Sequence, residues 1–204
     1  MDNSFVNRRD KIIDSAIEII SEAGIESLTT KNLAMKENMT ESLLYRYFGG
    51  IDEVLVEVIE TFTKFDNSII ATVAAKDISH MDRVLELLDT LGTYYNGYSA
   101  IAAIPLNYEY FLHNVNTRDR IAACIKNRSQ FLHDEIAAAI EAGEIVDTYT
   151  AGELVTIFLG TADRELLNQR IYYENMSHNQ ITRSIMEKIA DSLRIEPVHK
   201  KDTY

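Results

Sequence analysis

The stretch Thr29-Thr30-Lys31-Asn32-Leu33-Ala34-Met35-Lys36-Glu37-Asn38-Met39-Thr40-Glu41-Ser42-Leu43-Leu44-Tyr45-Arg46-Tyr47-Phe48 decides the fold. The hydroxyls of Thr29 and Thr30 can cap a helix that runs through Leu33, Ala34 and Met35. Asn38 falls where that helix must stop and turn, and asparagine is one of the few residues besides glycine that tolerates a positive φ. Thr40 can cap a second, shorter helix whose Leu44 and Phe48 point inward. Gly49-Gly50 breaks it, and Asp52 or Glu53 then opens another helix, where a carboxylate suits the positive end of the helix dipole. Helix, tight turn and short helix in this order predict a helix-turn-helix.

Working outward, Ile12, Ile13, Ala16, Ile19, Ile20 and Ala23 recur on one helical face, with Asp14, Glu18, Ser21 and Glu22 opposite. Gly24 is expected to end that helix as a left-handed cap. Downstream, Val54, Leu55, Val58, Ile59, Phe62 and Phe65 form one apolar stripe, reaching toward Ala75. Val84, Leu87, Leu88 and Leu91 begin the next helix, which closes near Asn96-Gly97. Tyr98 to His113 is interrupted by Pro105. Ile121, Ile125, Leu132, Ile136 and Ile140 make a long helix closing at Gly143. Leu154, Val155, Phe158, Leu159, Ala162, Leu166 and Leu167 make another. Ile181, Ile185, Ile189 and Leu193 make the last, before a polar tail opened by Pro197. The pattern predicts an all-α chain of about nine helices with no strand.

Composition bounds the function. Only two prolines and eight glycines in 204 residues favour long helices over a turn-rich β fold. No stretch reaches the roughly 18 apolar residues that would span a bilayer, and no secretory leader is evident. One cysteine, Cys124, cannot form an internal disulfide and fits a reducing cytoplasm. The net charge of −12 is unusual for a nucleic-acid binder. Through Ile51, however, the segment stands near −2, so most of the acid lies elsewhere. A local cluster such as Arg8, Arg9, Lys31 and Arg46 can still meet phosphates.

Ile12 to Leu55 resembles the TetR family of transcriptional regulators. The resemblance is carried by Ala16, Gly24, Leu28-Thr29-Thr30, Leu33-Ala34, Leu44-Tyr45, Tyr47-Phe48 and Leu55. Beyond Asp66 it rests on the run Ala139 to Ile145 and an apolar helix with Gly160 near its middle. The resemblance implies an N-terminal three-helix helix-turn-helix domain over 6–66, with the motif at about 29–48. It also implies a larger helical effector-binding and dimerisation domain over 67–204. Thr30 and Lys31 would meet phosphates, while Glu41, Ser42, Leu43, Tyr45 and Tyr47 would face the major groove, with Arg46 beside them. Glu41 fits only a cytosine amino group there. Two positions depart from the family: Ile51 stands where a phosphate-binding lysine is common, and Asn38 replaces the turn glycine.

The same resemblance places a small-molecule pocket among the central helices. The aromatic residues there are Phe62, Phe65, Tyr94, Tyr95, Tyr98, Tyr108, Phe111 and Phe131, with His113 beside them. The last two helices, over 152–173 and 178–193, would pack against their copies in a homodimer. The partners expected are therefore a double-stranded DNA operator, a small-molecule effector and a second copy of the chain, with no membrane. No cofactor or metal is expected. Glu196-x-x-His199 occurs once, whereas a di-iron bundle needs that motif twice. Two other readings compete. One is a ligand-binding or protein-interaction module without sequence-specific DNA binding. The other is an all-α enzyme using Glu109 and His113 one turn apart.

Overall fold

The structure is a computed structural model that describes residues 3–172 and 178–195. Asp2, Tyr173, Pro197 and the Glu196–His199 spacing lie outside the described residues. Among the described residues nine α-helices follow one another: α1 (Asn3–Ala23), α2 (Thr30–Lys36), α3 (Glu41–Leu44), α4 (Ile51–Ala74), α5 (His80–Gly97), α6 (Tyr108–His113), α7 (Arg118–Glu141), α8 (Ala151–Tyr172) and α9 (His178–Leu193). Short 3-10 turns cover Ile25–Ser27, Ser99–Ala103 and Pro105–Asn107. The all-α expectation holds. The one β feature among the described residues is an isolated antiparallel bridge between Ile145 and Arg194.

The helices cluster into two compact units, Met1–Ile69 with Thr93–Arg128, and Ile70–Gly92 with Ser129–Tyr204. In the first, Ile12, Ile13, Ala16, Ile17, Ile19 and Ile20 turn the inner face of α1 onto Leu28, Leu33, Leu44, Phe48, Val54, Leu55 and Val58, all buried. The turn Ser99–Ala103 also packs on α1, and Ile101 to Ile104 are buried there. Pro105 begins the next 3-10 turn, so the break expected at this proline is real. Phe65 departs from its expected place. It is 47% exposed, because the inward position next to it is taken by the buried Asp66.

In the second unit, Glu144 gathers three segments. Its carboxylate accepts the backbone N–H groups of His80 at 3.1 Å and Met81 at 2.9 Å, capping α5. Its carbonyl accepts Ile195 N–H at 3.1 Å in the bridge. Gly143, at φ 69°, ends α7 through Glu144 N–H to Ala139 O and Gly143 N–H to Ile140 O. On α8, Leu154, Val155, Phe158 and Leu166 face inward, but Leu167 is 40% exposed. On α9 the buried line is Met186, Ala190 and Leu193. Ile181, Ile185 and Ile189 are only half-buried, one helical step off the stripe expected from spacing alone.

Candidate functional site

Both capping threonines behave as their positions suggest. Thr29 Oγ1 accepts Asn32 N–H at 3.1 Å, and Thr40 Oγ1 accepts Leu43 N–H at 3.2 Å. Between the helices Asn38 sits at φ 51°. Met39 N–H reaches Ala34 O at 2.9 Å and Asn38 N–H reaches Met35 O at 3.1 Å, the bond pair of a Schellman turn. Gly24 also has a positive φ of 85°, but its ψ of 160° leads the chain out extended rather than through the left-handed helical well. The second helix is shorter than the sequence suggests. Regular α-helix covers Glu41–Leu44, and tighter i to i+3 bonds from Arg46 and Tyr47 carry the backbone on to Phe48.

This rod is anchored from one side only. Leu44 and Phe48 are each 2% exposed, whereas Glu41, Ser42, Tyr45 and Arg46 are exposed, and Leu43 and Tyr47 are half-buried. Lys31 is exposed and Thr30 half-buried at the start of α2. The eight residues expected to face DNA therefore share the accessible side of two short helices. Thr30 donates its hydroxyl to Glu41 at 2.6 Å, which ties the two helix starts together.

The four cations expected to meet phosphates are divided by the structure. Arg8 is committed to Glu37, bonding its carbonyl at 2.8 Å and its carboxylate at 3.0 Å. Arg9 lies 4.2 Å over the Phe48 ring and donates to Tyr47 O, to Glu57 at 2.6 Å and to Glu53 at 3.3 Å. Nearby, Lys36 bridges Glu18 and Glu22. These side chains tie α1 to α2, to Tyr47 and Phe48 just past α3, and to α4. Counting charges along a sequence cannot reveal that pairing. Lys31 and Arg46, both exposed, enter no ion pair among the described residues. Glu53 also accepts Gly49 N–H at 2.6 Å, and that bond, with Arg9, holds its carboxyl below the usual carboxylate range.

The aromatic residues expected around an effector fall into groups. Phe65 stacks at 5.5 Å on Tyr94, which lies 5.8 Å from Tyr95. Phe62 meets the edge of Tyr108 at 6.4 Å. Between these pairs lies an ion pair that the sequence reading missed. Arg128 of α7, 7% exposed, donates to Asp66 of α4, 3% exposed, and to the Tyr95 hydroxyl at 3.0 Å. Its guanidinium also sits 5.9 Å from the Phe62 ring. Burial raises the Tyr95 and Tyr108 hydroxyls well above the ordinary tyrosine range, and pushes the Cys124 thiol up to about 11. Tyr98 takes a different role. Its hydroxyl bonds Asp14 of α1, and burial followed by the charges of Asp14 and Glu18 pushes it up to about 12. Phe111 is wholly buried, against Tyr110 at 5.8 Å, while Phe131 is half-buried in the second unit. His113 meets Glu109 at 3.4 Å, with side chains 77% and 85% exposed, a solvated pair on one helical turn.

No helix among the described residues is long and apolar enough to cross a membrane. Residues 12–58 match the family described as bacterial regulatory proteins, tetR family. No curated protein matches the sequence. Solved structures do resemble the fold. The ketosteroid transcriptional regulator KstR2 of Mycobacterium tuberculosis has a TM-score of 0.81 at 14% identity, covering 93% of this chain and 96% of that one. A TetR-family regulator from Agrobacterium tumefaciens has a TM-score of 0.79 at 13% identity, covering 94% and 100%. The regulator FadR from Bacillus subtilis, solved in complex with stearoyl-CoA, has a TM-score of 0.74 at 17% identity, covering 91% and 99%. Residues 12–58 thus match the family's N-terminal model, and the described helices share the fold of these solved regulators.

Proposed function

We propose that the protein is a homodimeric transcriptional repressor of the cytoplasm that leaves its operator when a small molecule binds. Residues 6–66 serve as the DNA-binding head, and 67–204 carry effector recognition and dimerisation. The observation that supports this best is the one-sided anchoring of Thr40 to Phe48. Leu44 and Phe48 fix the rod, and Ser42, Tyr45 and Arg46 stay accessible to a groove. Lys31 and Arg46 supply phosphate contacts, and Ser42 reads a base edge. Glu41 can accept from a cytosine amino group once it releases Thr30. Two heads related by two-fold symmetry read half-sites about one helical turn apart, roughly 34–36 Å. Release needs only that the effector prefer one head arrangement, with a coupling of about 1–3 kcal/mol.

A mobility shift on DNA from upstream of the protein's own gene tests this. Salt-sensitive retention is expected, strongly weakened by Lys31→Ala and by Tyr45→Ala. Affinity indifferent to both substitutions would reject this placement of the interface. The second reading, a ligand-binding module without operator recognition, draws support from the internal pairing of Arg8, Arg9 and Lys36. It expects no sequence-specific retention at any salt.

A further inference from the structure

Inside the first unit, hydrogen-bonding capacity is spent unevenly. Arg128 Nε donates to Asp66 Oδ1 at 3.1 Å, and Nη2 donates to the same carboxylate and to Tyr95. The two charges therefore neutralise each other within the protein. What is left over is neutral. The hydroxyl oxygens of Tyr94 and Tyr108 are shut off from solvent and have no hydrogen-bond partner among the described residues. Thr63 Oγ1 is also enclosed, with only the Cys124 thiol, a weak partner, beside it. Tyr94 and Tyr108 belong to a connected run of side chains, from Phe65 through Tyr94 and Tyr95 to Arg128, then Phe62 and Tyr108.

A core built only for packing leaves few enclosed hydroxyls unbonded, because each costs free energy. Enclosed hydroxyls left unbonded along such a run suit a guest that supplies a missing bond. Charge then selects the guest. A carboxylate would have to draw Arg128 away from Asp66 and strand a buried anion. An organic cation would approach a guanidinium already satisfied by its own counter-ion. An uncharged molecule incurs neither penalty. We propose that the effector is an uncharged, ring-bearing compound whose carbonyl or hydroxyl oxygen bonds Tyr94 or Tyr108, and that carboxylates and organic cations are discriminated against. This rests on the reading that the central helices sense a small molecule.

Calorimetric titration of the full chain with 2-naphthol, 2-naphthoate and 2-naphthylmethylammonium tests it, since the three share a ring system and differ in charge. The naphthol is expected to bind about tenfold or more tightly than either ion. Tyr94→Phe and Tyr108→Phe should each weaken naphthol binding by about three- to tenfold. Both should leave the unliganded Tm unchanged or higher, because the hydroxyls removed have no protein bond to lose. Naphthoate binding as tightly as naphthol, or no binding of any of the three by folded protein, would overturn the proposal. So would a fall in Tm in both variants, which would show the hydroxyls already satisfied by buried water. The readout does not involve DNA. A chain that takes naphthol and ignores every operator keeps this inference and loses the repressor reading, and the reverse result loses this inference alone.

Discussion

Asp66 and Arg128 are opposite charges taken almost wholly out of water, at 3% and 7% exposure, and each is tolerable only because of the other. Asp66→Asn or Arg128→Met alone should lower stability by about 3–5 kcal/mol in urea unfolding, by leaving one buried charge without its partner. The double variant Asp66→Leu/Arg128→Met should recover most of that loss. An additive double loss would mean that the two charges do not compensate each other. Both positions carried a readable signal. Asp66 lies four residues after Phe62 and seven after Ile59, and Arg128 lies seven after Ile121 and four before Leu132, so each charge interrupts an apolar stripe. That the two interruptions meet depends on contacts 62 residues apart, which helical periodicity does not encode. Phe65 shows the same limit. Spacing admits it to the stripe's edge, but only packing shows that Asp66 takes the inner place.

At the scale of elements, local chemistry was legible and helix length was not. The caps at Thr29 and Thr40 and the positive φ of Asn38 follow from residue type, because each depends on a bond within a few positions. The Asn38 turn sets the angle at which α3 leaves α2, so it can be tested there. Asn38→Val should cost about 1–2 kcal/mol, since a β-branched side chain is strained at φ 51°. Asn38→Gly should keep both stability and operator affinity. Thermal unfolding and a mobility shift on the two variants check this, and an Asn38→Val protein as stable as the parent would contradict it. The regular part of α3 is only Glu41–Leu44 because Arg46 and Tyr47 are drawn into tighter turns, with Arg9 bonding Tyr47 O from another helix. That clasp comes from α1, so the motif's own sequence could not show it.

For the molecule as a whole, helix number and order could be read from periodicity, and the resemblance leads us to expect an apolar outward face on the last two helices. On α8 large apolar side chains stay on the outward side. Ile157, Leu167 and Ile171 remain 36–53% exposed on α8. If α8 packs against its copy, Leu167→Arg with Ile171→Arg should give a folded monomer by sedimentation and a large loss of operator affinity. A dimer surviving both charges would move the interface elsewhere. The intramolecular pairing of Arg8, Arg9 and Lys36 has a consequence of its own. On the proposed reading each head keeps Lys31 and Arg46 as the motif's uncommitted cations among the described residues, so a dimer would displace few counterions from DNA. At about 0.9 logarithmic units per phosphate met, four such contacts give a salt slope near −4, shallow for a DNA binder. Operator occupancy would then be buffered against swings in cellular potassium that dislodge more basic competitors, leaving the effector as the main control over release.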